Sequence, residues 1–325
     1  MDIQKLFFER VKQNLSPNVL LADEISTVLN IGSDSAYRRI RGKKELTLNE
    51  VFKLCKHFNI SMNSIINYQS GNVLFKYTQF DINNMDNYYS HLQGLSVLME
   101  NMVRAKEKEM YCLTLDIPIP HFMPFLELTL FKVYTWFQSV NKLAITYDKF
   151  IEQLDIPLLT NIYEKIGKAY NQIPSTEIWT NNTIEPILFL LDYYPDLDCF
   201  EKRETFFLLC TQLLQMIENI EQMAAKESKE YKGKTVSYRM FLSPLHLMND
   251  FTIAKRDEVC ITAIKLYTIN AIFTSDEYFC SEVEKWTNDL IAKSLSISGN
   301  SAKERFQFFQ KLKNKVNCLM ETKYR

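Results

Sequence analysis

The residues best suited to chemistry lie in one short basic segment near the start of the chain. Residues 38–44 read RRIRGKK, which gives five cations with no acid among them. Small polar side chains at Ser33 and Ser35 and the phenol of Tyr37 come just before this segment. Guanidinium and ammonium groups bind phosphate, and polar side chains of these types hydrogen-bond to the edges of bases. The segment therefore predicts a surface that binds nucleic acid.

A helix over residues 33–41 has to position these side chains. Ala36 and Ile40 are four residues apart, so they share one face of a helix, and this face must point into the core. The outer face is then formed by Ser33, Ser35, Tyr37, Arg38 and Arg41, with Asp34 near the exposed N-terminal end. A DNA major groove is wide enough for one helix and presents distinct patterns of donors and acceptors. We expect this helix to enter the groove.

Different contacts are expected from the side chains of this surface. Arg38 can form a bidentate hydrogen bond to guanine, and Tyr37 can touch a thymine methyl group or a phosphate. The cations suited to backbone phosphates, at the helix end and in the following loop, are Arg41, Lys43 and Lys44. Asp34 repels phosphate, so we interpret it as a helix N-cap, with a hydrogen bond from a cytosine amine as the alternative.

Five short helices are predicted within residues 1–66. They cover about residues 3–14, 19–29, 33–41 and 48–58, with a last turn at 62–66. Asn30 tolerates the left-handed backbone of a tight turn between the second and third helices. Gly42 is expected to end the third helix, and Thr47 with Glu50 forms a capping box for the fourth. The second and third helices thus have the size of a DNA-reading helix-turn-helix unit.

The run from Glu24 to Lys43 resembles the Cro/repressor-like helix-turn-helix family of the xenobiotic-response-element type. The positions in register with the family pattern are Ile25, Leu29, Ile31, Ile40 and Gly42. The stretch 48–66, which reads FNISM at 58–62, is similar to that family's junction between the fourth and fifth helices. The resemblance covers about residues 1–68. It implies that the recognition helix meets base edges through Ser33, Asp34, Ser35, Tyr37 and Arg38.

Two positions depart from the pattern of that family. The family often begins its second helix with a glutamine that binds phosphate, but Leu21 and Ala22 stand here. Asn30 replaces the usual glycine of the turn. The first departure removes one expected phosphate contact, whereas the second is compatible with the turn.

The composition sets the class of the whole chain. Of its 325 residues 46% are hydrophobic, which is enough for a large core, and only seven are glycine, which favours helices. A net charge of −1 excludes binding of nucleic acid through bulk charge, although residues 1–70 alone carry +3. The seven cysteines are scattered, so we expect reduced thiols in a cytoplasmic protein and no zinc site. No apolar stretch approaches the ~20 residues that span a membrane.

Residues 73–325 predict a mainly helical region with a few short strands. Strands are predicted at about 73–80, 110–115, 235–242, 251–255 and 259–264. The first two, with a helix between them, suggest a βαβ element, and the others suggest a small antiparallel sheet at about 235–264. Helices are expected elsewhere, including one at 266–274. The charged stretch 226–232 is interpreted as a solvated helix end.

Motifs of known enzymes are missing from the sequence. It has no phosphate loop, GxSxG elbow, HExxH helix or GxGxxG turn, so we expect neither an enzyme nor a cofactor. Asp116 and His121 are five residues apart and suggest an acid–base pair, but a surface-loop aspartate and a half-buried histidine are the favoured interpretation. The aromatic residues interpreted as core rather than ligand pocket are Phe122, Phe125, Phe131, Tyr134, Trp136 and Phe137. Cys112 and Cys280 are interpreted as buried and inert.

The sequence as a whole predicts a mainly α protein with two parts. A five-helix repressor-like DNA-binding domain at 1–68 precedes a mainly helical effector or oligomerisation region at 73–325. The expected function is sequence-specific transcriptional regulation, with double-stranded DNA as partner and a homodimer formed through the second region. Two alternatives stay open. In one, the second region is a receptor for a peptide or small-molecule effector, and in the other the chain is a protein-interaction scaffold that has lost DNA binding.

Overall fold

Two compact units form the chain in this computed structural model: unit 1 is Met1–Phe75 and unit 2 is Lys76–Arg325. The structure describes residues 3–13, 15, 19–58, 60, 72–78, 81, 84–140, 145–245, 247–266 and 269–323. The predicted last turn at 62–66 lies outside the described residues.

Four helices of unit 1 pack around a small apolar core. They are α1 (Ile3–Gln13), α2 (Leu21–Leu29), α3 (Ser33–Ile40) and α4 (Leu48–Phe58). Each contributes a fully buried side chain, namely Val11, Ile25, Ala36 and Leu54. Ile40 packs against the same core, so the prediction that Ala36 and Ile40 point inward is confirmed. Their positions fix which face of α3 is left outside.

Turn residues end these helices as predicted. Asn30 adopts a φ of 53° after α2, and Gly42 adopts a φ of 71° after α3. The N–H of Glu50 donates to Thr47 Oγ1 at 3.2 Å, and the N–H of Thr47 donates to Glu50 Oε2 at 3.0 Å. This reciprocal pair is the predicted capping box, and it fixes the start of α4.

Unit 2 is built on a nine-stranded mixed sheet, so the prediction of a mainly α fold with few short strands is wrong. The strands are β1 (Lys76–Tyr77), β2 (Lys108–Leu113), β3 (Ser175–Trp179), β4 (Ser228–Tyr231), β5 (Lys234–Leu242), β6 (Phe251–Arg256), β7 (Val259–Lys265), β8 (Ala271–Thr274) and β9 (Leu295–Ser296). Helices precede, separate and follow these strands along the sequence, and unit 2 is therefore an α/β structure.

Three parallel strands form the centre of the sheet. β2 pairs with β3, which places Cys112 beside Glu177, and β3 pairs with β5, which places Glu177 beside Met240. On the β2 side the sheet continues as an antiparallel ladder in the order β6, β7, β8 and β1. On the other side β5 pairs with β4 along its first half and with β9 near its end. Because β3 lies between parallel neighbours, all five of its residues are buried.

Helices cover both faces of this sheet. They are α5 (Met85–Arg104), α6 (Ile119–Phe122), α7 (Leu126–Val140), α8 (Tyr147–Ile151), α9 (Ile156–Tyr170), α10 (Glu185–Tyr193), α11 (Arg203–Lys226), α12 (Glu277–Lys293) and α13 (Ala302–Thr322). Ile178 of β3 packs on one face with Val283 and Leu290 of α12. Trp179 points to the other face and packs among α7, α9, α11 and α13. None of the described helices is long and apolar enough to cross a bilayer.

Aromatic side chains of α6 and α7 confirm the interpretation of that segment as core. Phe122, Phe131 and Tyr134 are buried at 2% exposure or less, and Trp136 is partly buried against the same cluster. The large cluster that they join holds residues from most helices of unit 2.

Several predicted elements of unit 2 differ from the structure. The strands expected at 73–80 and 110–115 do not form a βαβ unit, since β1 pairs with β8 while β2 pairs with β3 and β6. The sheet expected at 235–264 is not separate, because β5 runs parallel to β3 and only β6 and β7 form a hairpin. Part of the helix expected at 266–274 is strand β8, and β4 lies within the stretch 226–232. Pairing with distant strands overrides local propensity at these places.

Candidate functional sites

The outer surface of α3 carries polar side chains that the sequence predicts as DNA contacts. The exposed residues among them are Ser33, Asp34, Tyr37, Arg38, Arg41, Lys43 and Lys44, and Ser35 is half-buried. The guanidinium carbon of Arg41 lies 5.7 Å from the centre of the Tyr37 ring, which is a cation–π contact. These eight residues occupy the outward positions of α3 and the loop that follows it. We call them the α3 surface.

A tight turn joins α2 to α3. The N–H groups of Asn30 and Ile31 both donate to the carbonyl of Ser26, which satisfies an otherwise unpaired acceptor at the end of α2. Gly32 then occupies the N-cap of α3, so the interpretation of Asp34 as the N-cap is wrong. Asp34 lies in the first turn, where its negative charge is favourable beside the N-terminal end of the helix dipole.

Gln4 of α1 holds the loop that follows α3. Its side-chain amide donates to the carbonyl oxygens of Arg39 and Lys44, both at 2.8 Å, and its Oε1 accepts from the N–H of Leu46 at 2.9 Å. The backbone of the loop is thus fixed at three points, while the side chains of Lys43 and Lys44 are exposed. Exposed cations on a fixed backbone suit the binding of phosphate groups.

Arg39 differs from the other cations of the basic segment because it is buried. It is 4% exposed, and its Nη2 lies 2.6 Å from Glu50 Oε1. The hydrogen bond from Arg39 lowers the pKa of the Glu50 carboxyl. Arg38, Lys43 and Lys44, in contrast, form no ion pair with any residue that the structure describes. One cation of the segment therefore stabilises unit 1, and the others face outward.

The second candidate site is a buried polar cluster in unit 2. Glu177, in the middle of β3, is fully buried, and its carboxylate accepts hydrogen bonds from neighbouring side chains. Nε2 of His121 lies 2.7 Å from Oε1, Nε1 of Trp179 donates to Oε2 at 2.8 Å, and the hydroxyl of Tyr170 also donates to Oε1. Carboxylates are almost never fully buried unless they are paired in this way.

These partners decide the charge of the cluster. Burial is the largest single effect and raises the pKa of Glu177, but the charge of His121 and the hydrogen bonds from its neighbours outweigh it and lower that pKa to about 2. Burial and the charge of Glu177 raise the pKa of Tyr170 well above its ordinary value. At neutral pH Glu177 is therefore ionised and Tyr170 is a protonated donor.

Lys229 of β4 completes the cluster. Its Nζ donates to Ser175 Oγ at 2.5 Å and lies 3.4 Å from the centre of the Tyr170 ring. Burial lowers the pKa of Lys229 to about 7, although the charge of Glu177 acts in the opposite direction. The interpretation of residues 226–232 as a solvated helix end is thus wrong at Lys229. This residue lies in strand β4, which pairs with β5, and its side chain is buried.

A cleft of 260 Å³ opens beside this cluster. His121 and Tyr170 line it, so two of the groups that bind Glu177 also face the cleft. The polar residues of its rim are Asn171, Asn219, Gln222, Lys226, Ser228 and Glu230. Because Nε2 of His121 is engaged by Glu177, Nδ1 is the ring nitrogen left for a ligand. A concave site lined by both polar and apolar side chains suits a small polar molecule.

Asp116 and His121 do not form an acid–base pair. Asp116 is buried and its Oδ2 binds Lys132 and Lys265, whereas His121 binds Glu177. The interpretation of Asp116 as a surface-loop residue is therefore wrong. Burial raises the pKa of Asp116, but the charges of the two lysines outweigh it and lower that pKa. Its Oδ1 has no hydrogen-bond partner among the described residues.

The cluster in unit 2 was missed by sequence reasoning because His121 and Lys229 are far from Glu177 along the chain. The only local signal for Glu177 is the β-branched and aromatic content of its strand, which reads STEIW. Among the described residues, no group of three His, Cys, Asp or Glu side chains is arranged to hold a metal ion. Comparison of the chain with protein-family models, with curated proteins and with solved structures gave no match.

Proposed function

We propose that the protein is a sequence-specific DNA-binding transcriptional regulator that reads a major groove with α3. The observation that carries this proposal is the α3 surface, which combines hydrogen-bonding side chains on one helix with exposed cations at its end. The left-handed turn at Asn30 and the clamp by Gln4 support it, because they fix this helix and the basic loop in one rigid arrangement. Rigid elements hold recognition groups in register with a partner.

Each part of the α3 surface has a distinct role in the proposed complex. Arg38 donates a bidentate pair of hydrogen bonds to guanine, and Tyr37 touches a thymine methyl group or a phosphate. Lys43 and Lys44 bind backbone phosphates and fix the position of the helix. Asp34 accepts a hydrogen bond from a cytosine amine, since the end of α3 does not need it as a cap.

A homodimer belongs to the same proposal. One helix of this length contacts few bases, so tight binding needs two half-sites, about 34 Å apart on one face of DNA. Sedimentation of the full chain at micromolar concentration, alone and with DNA, measures the stoichiometry. A monomer under both conditions would contradict the dimer.

Two substitutions test the proposed roles on the full chain. The preferred duplex is first selected from a random pool, and affinity is then measured by fluorescence anisotropy. Arg38→Ala should weaken binding to this duplex by about 1–3 kcal/mol, or roughly 5- to 150-fold, and reduce the preference over other sequences. Lys43→Ala should weaken binding to all duplexes and lower the slope of log affinity against log salt by about 1.

Lys285→Ala provides the matched control for the loss of a charge, because Lys285 is exposed on α12 in unit 2. This control should bind DNA as the natural chain does. If Arg38→Ala and Lys43→Ala also bind unchanged, the assigned surface is wrong. If the natural chain shows no salt-dependent retention on DNA at all, the scaffold alternative replaces the proposal.

We propose as a second candidate function that unit 2 is a receptor for a small polar molecule. The specific observation is the cleft of 260 Å³, which is lined by His121 and Tyr170. Both of these side chains are hydrogen-bonded to the buried Glu177. Gly167 of α9 also lines this cleft, and a Cβ added there would meet only Met123 at an ordinary contact distance of 3.5 Å. The backbone at Gly167 thus has room for a Cβ, and a leucine side chain there would occupy part of the cleft.

A thermal-shift screen of small polar metabolites on the full chain tests this second function. A true ligand raises the melting temperature of the natural chain, and Gly167→Leu abolishes the rise while leaving the unliganded melting temperature within a few degrees. A ligand that acts equally on both chains binds elsewhere. If no compound shifts the natural chain, the receptor hypothesis fails.

A further inference from the structure

Two cysteines that are distant in sequence meet between the sheet and helix α12 of unit 2. Cys260 lies in β7 and Cys280 in the second turn of α12. Cys280 Sγ also lies 3.6 Å from the carbonyl oxygen of Cys260. The hydroxyl of Thr262 donates to Cys280 Sγ at 3.4 Å. Cys260 and Thr262 point to the same face of β7 because they are two residues apart.

The surroundings of this pair make one of the two sulfurs nucleophilic. The hydrogen bond from Cys260 lowers the pKa of Cys280, burial raises it less, and the hydroxyl and backbone of Thr262 lower it further. The same contact raises the pKa of Cys260, so the pair shares one proton and gives up the other readily. Thiolates, rather than thiols, react with oxidants.

Charged groups near the pair act on its two pKa values in opposite directions. Asp276, at the N-cap of α12, raises the pKa of Cys280, but this effect is smaller than those of Cys260, burial and Thr262. Glu284 raises and Lys255 lowers the pKa of Cys260, and these two side chains bind each other at 2.6 Å. Cys280 is buried and Cys260 is partly exposed, so a small oxidant has to approach the pair from the side of Cys260.

We propose that Cys260 and Cys280 form an oxidative modification site that closes to an intramolecular disulfide when hydrogen peroxide is present. The thiolate of Cys280 attacks one oxygen of the peroxide, the O–O bond breaks, and hydroxide leaves and becomes water on taking up a proton. The Cys280 sulfur is then a sulfenic acid. The Cys260 thiol loses its proton, its sulfur attacks the Cys280 sulfur, and the S–O bond breaks to release a second water. Two thiols lose two electrons in total, and one peroxide gains them.

Cys112 and Cys210 have surroundings that disfavour this reaction. Burial raises the pKa of Cys112, with a further contribution from Glu177, and burial alone raises the pKa of Cys210. Cys318 is exposed, which makes it a matched control for a thiol that is accessible but is not part of this pair.

The test treats the full chain with one equivalent of hydrogen peroxide, blocks free thiols with an alkylating reagent, and maps the products by mass spectrometry. Two of the seven thiols should be lost, as a peptide cross-link between Cys260 and Cys280 that dithiothreitol reverses. A cross-link elsewhere, a sulfinic acid at either cysteine as the main product, or seven free thiols overturns the proposal. Because the map uses the natural chain, it does not depend on how a variant folds.

Two variants separate the roles of the two sulfurs. Cys260→Ser should stop at a sulfenic acid on Cys280, detected with dimedone, because no second thiol is present to displace it. Cys318→Ser should form the same cross-link as the natural chain. If Cys260→Ser gives no dimedone adduct, or if Cys318→Ser loses the cross-link, the proposed chemistry is wrong.

Discussion

Replacing Glu177 with leucine tests how much the buried polar cluster of unit 2 contributes to stability. Leucine is similar in size to glutamate, so the substitution leaves no large cavity, but it accepts no hydrogen bond. Donor groups of His121, Tyr170 and Trp179 would then be buried without the acceptor that they share. Lys229 would lose the neighbouring negative charge that favours its protonated form.

The magnitude follows from two opposing effects. Removing one partner of a buried charge pair typically costs about 3–5 kcal/mol, and each buried donor left unpaired costs about 1–3 kcal/mol. Leucine also removes the cost of burying a carboxylate, and the hydroxyl of Tyr170 can rotate toward another acceptor. We therefore expect Glu177→Leu to lower the free energy of unfolding of unit 2 by about 3–5 kcal/mol.

Tryptophan fluorescence in urea measures this quantity for unit 2 alone. The three tryptophans of the chain are Trp136, Trp179 and Trp286, and all of them lie in unit 2. The matched control is Glu164→Leu, since Glu164 is an exposed residue of α9 that pairs with Lys168 one turn away. This control should change the free energy of unfolding by less than about 1 kcal/mol.

The contribution of Glu177 should also depend on pH with a definite sign. Because its pKa is lowered from 4.5 to about 2 in the folded state, its stabilisation is complete above pH 4.5 and is lost as the pH falls toward 2. This lowering of the pKa corresponds to about 3 kcal/mol. The difference between the natural chain and Glu177→Leu should shrink by about that amount over this pH range. A difference below about 1 kcal/mol at neutral pH, or one that does not change with pH, would refute the reasoning.

Three further predictions concern other positions. Arg39→Met leaves Glu50 without its partner and should destabilise unit 1 by about 2 kcal/mol, seen as faster hydrogen exchange in its helices; unchanged exchange would contradict it. Gly299 has a φ of 56°, and a Cβ there would displace the carboxylate of Glu227, so Gly299→Ala should lower stability by about 1 kcal/mol in the urea assay. Gly94 is exposed in α5 with open space around it, so Gly94→Ala should instead raise stability by about 0.5–1 kcal/mol in that assay. Shifts of the same sign in both glycine variants would show that backbone conformation is not the cause.

Most of the described part of unit 1 was predictable because its signals are local. The turn at Asn30, the helix end at Gly42 and the capping box of Thr47 and Glu50 each depend on residues within one or two helical turns. Helical spacing also assigned Ala36 to the core. The error at the start of α3 has a simple cause, since the chain enters that helix at Gly32, two residues earlier than a cap at Asp34 would require.

The sheet of unit 2 was not predictable from the same kind of signal. β3 is five residues long and β8 four, and their partners lie in other parts of the chain. A short strand becomes stable only when its neighbours supply hydrogen bonds and cover its faces, so its own sequence carries little information. The cluster around Glu177 depends on two such strands, β3 and β4, and two helices meeting at one place. Residue types alone cannot predict that these elements come together, although each residue of the cluster can be read in the sequence.

Two basic stretches of the chain show why counting charges does not predict the role of a cation. In residues 38–44, Arg39 lies three residues after Ala36 and so turns with it toward the core, where Glu50 binds it. In residues 226–232, Lys229 turns inward because alternate residues of a strand point to opposite faces. The helical period of the first stretch could be recognised from the sequence, whereas the period of two in the second follows only from pairing with β5. The element that carries a cation, rather than the charge around it, decides whether that cation stabilises the interior or is free to bind a partner.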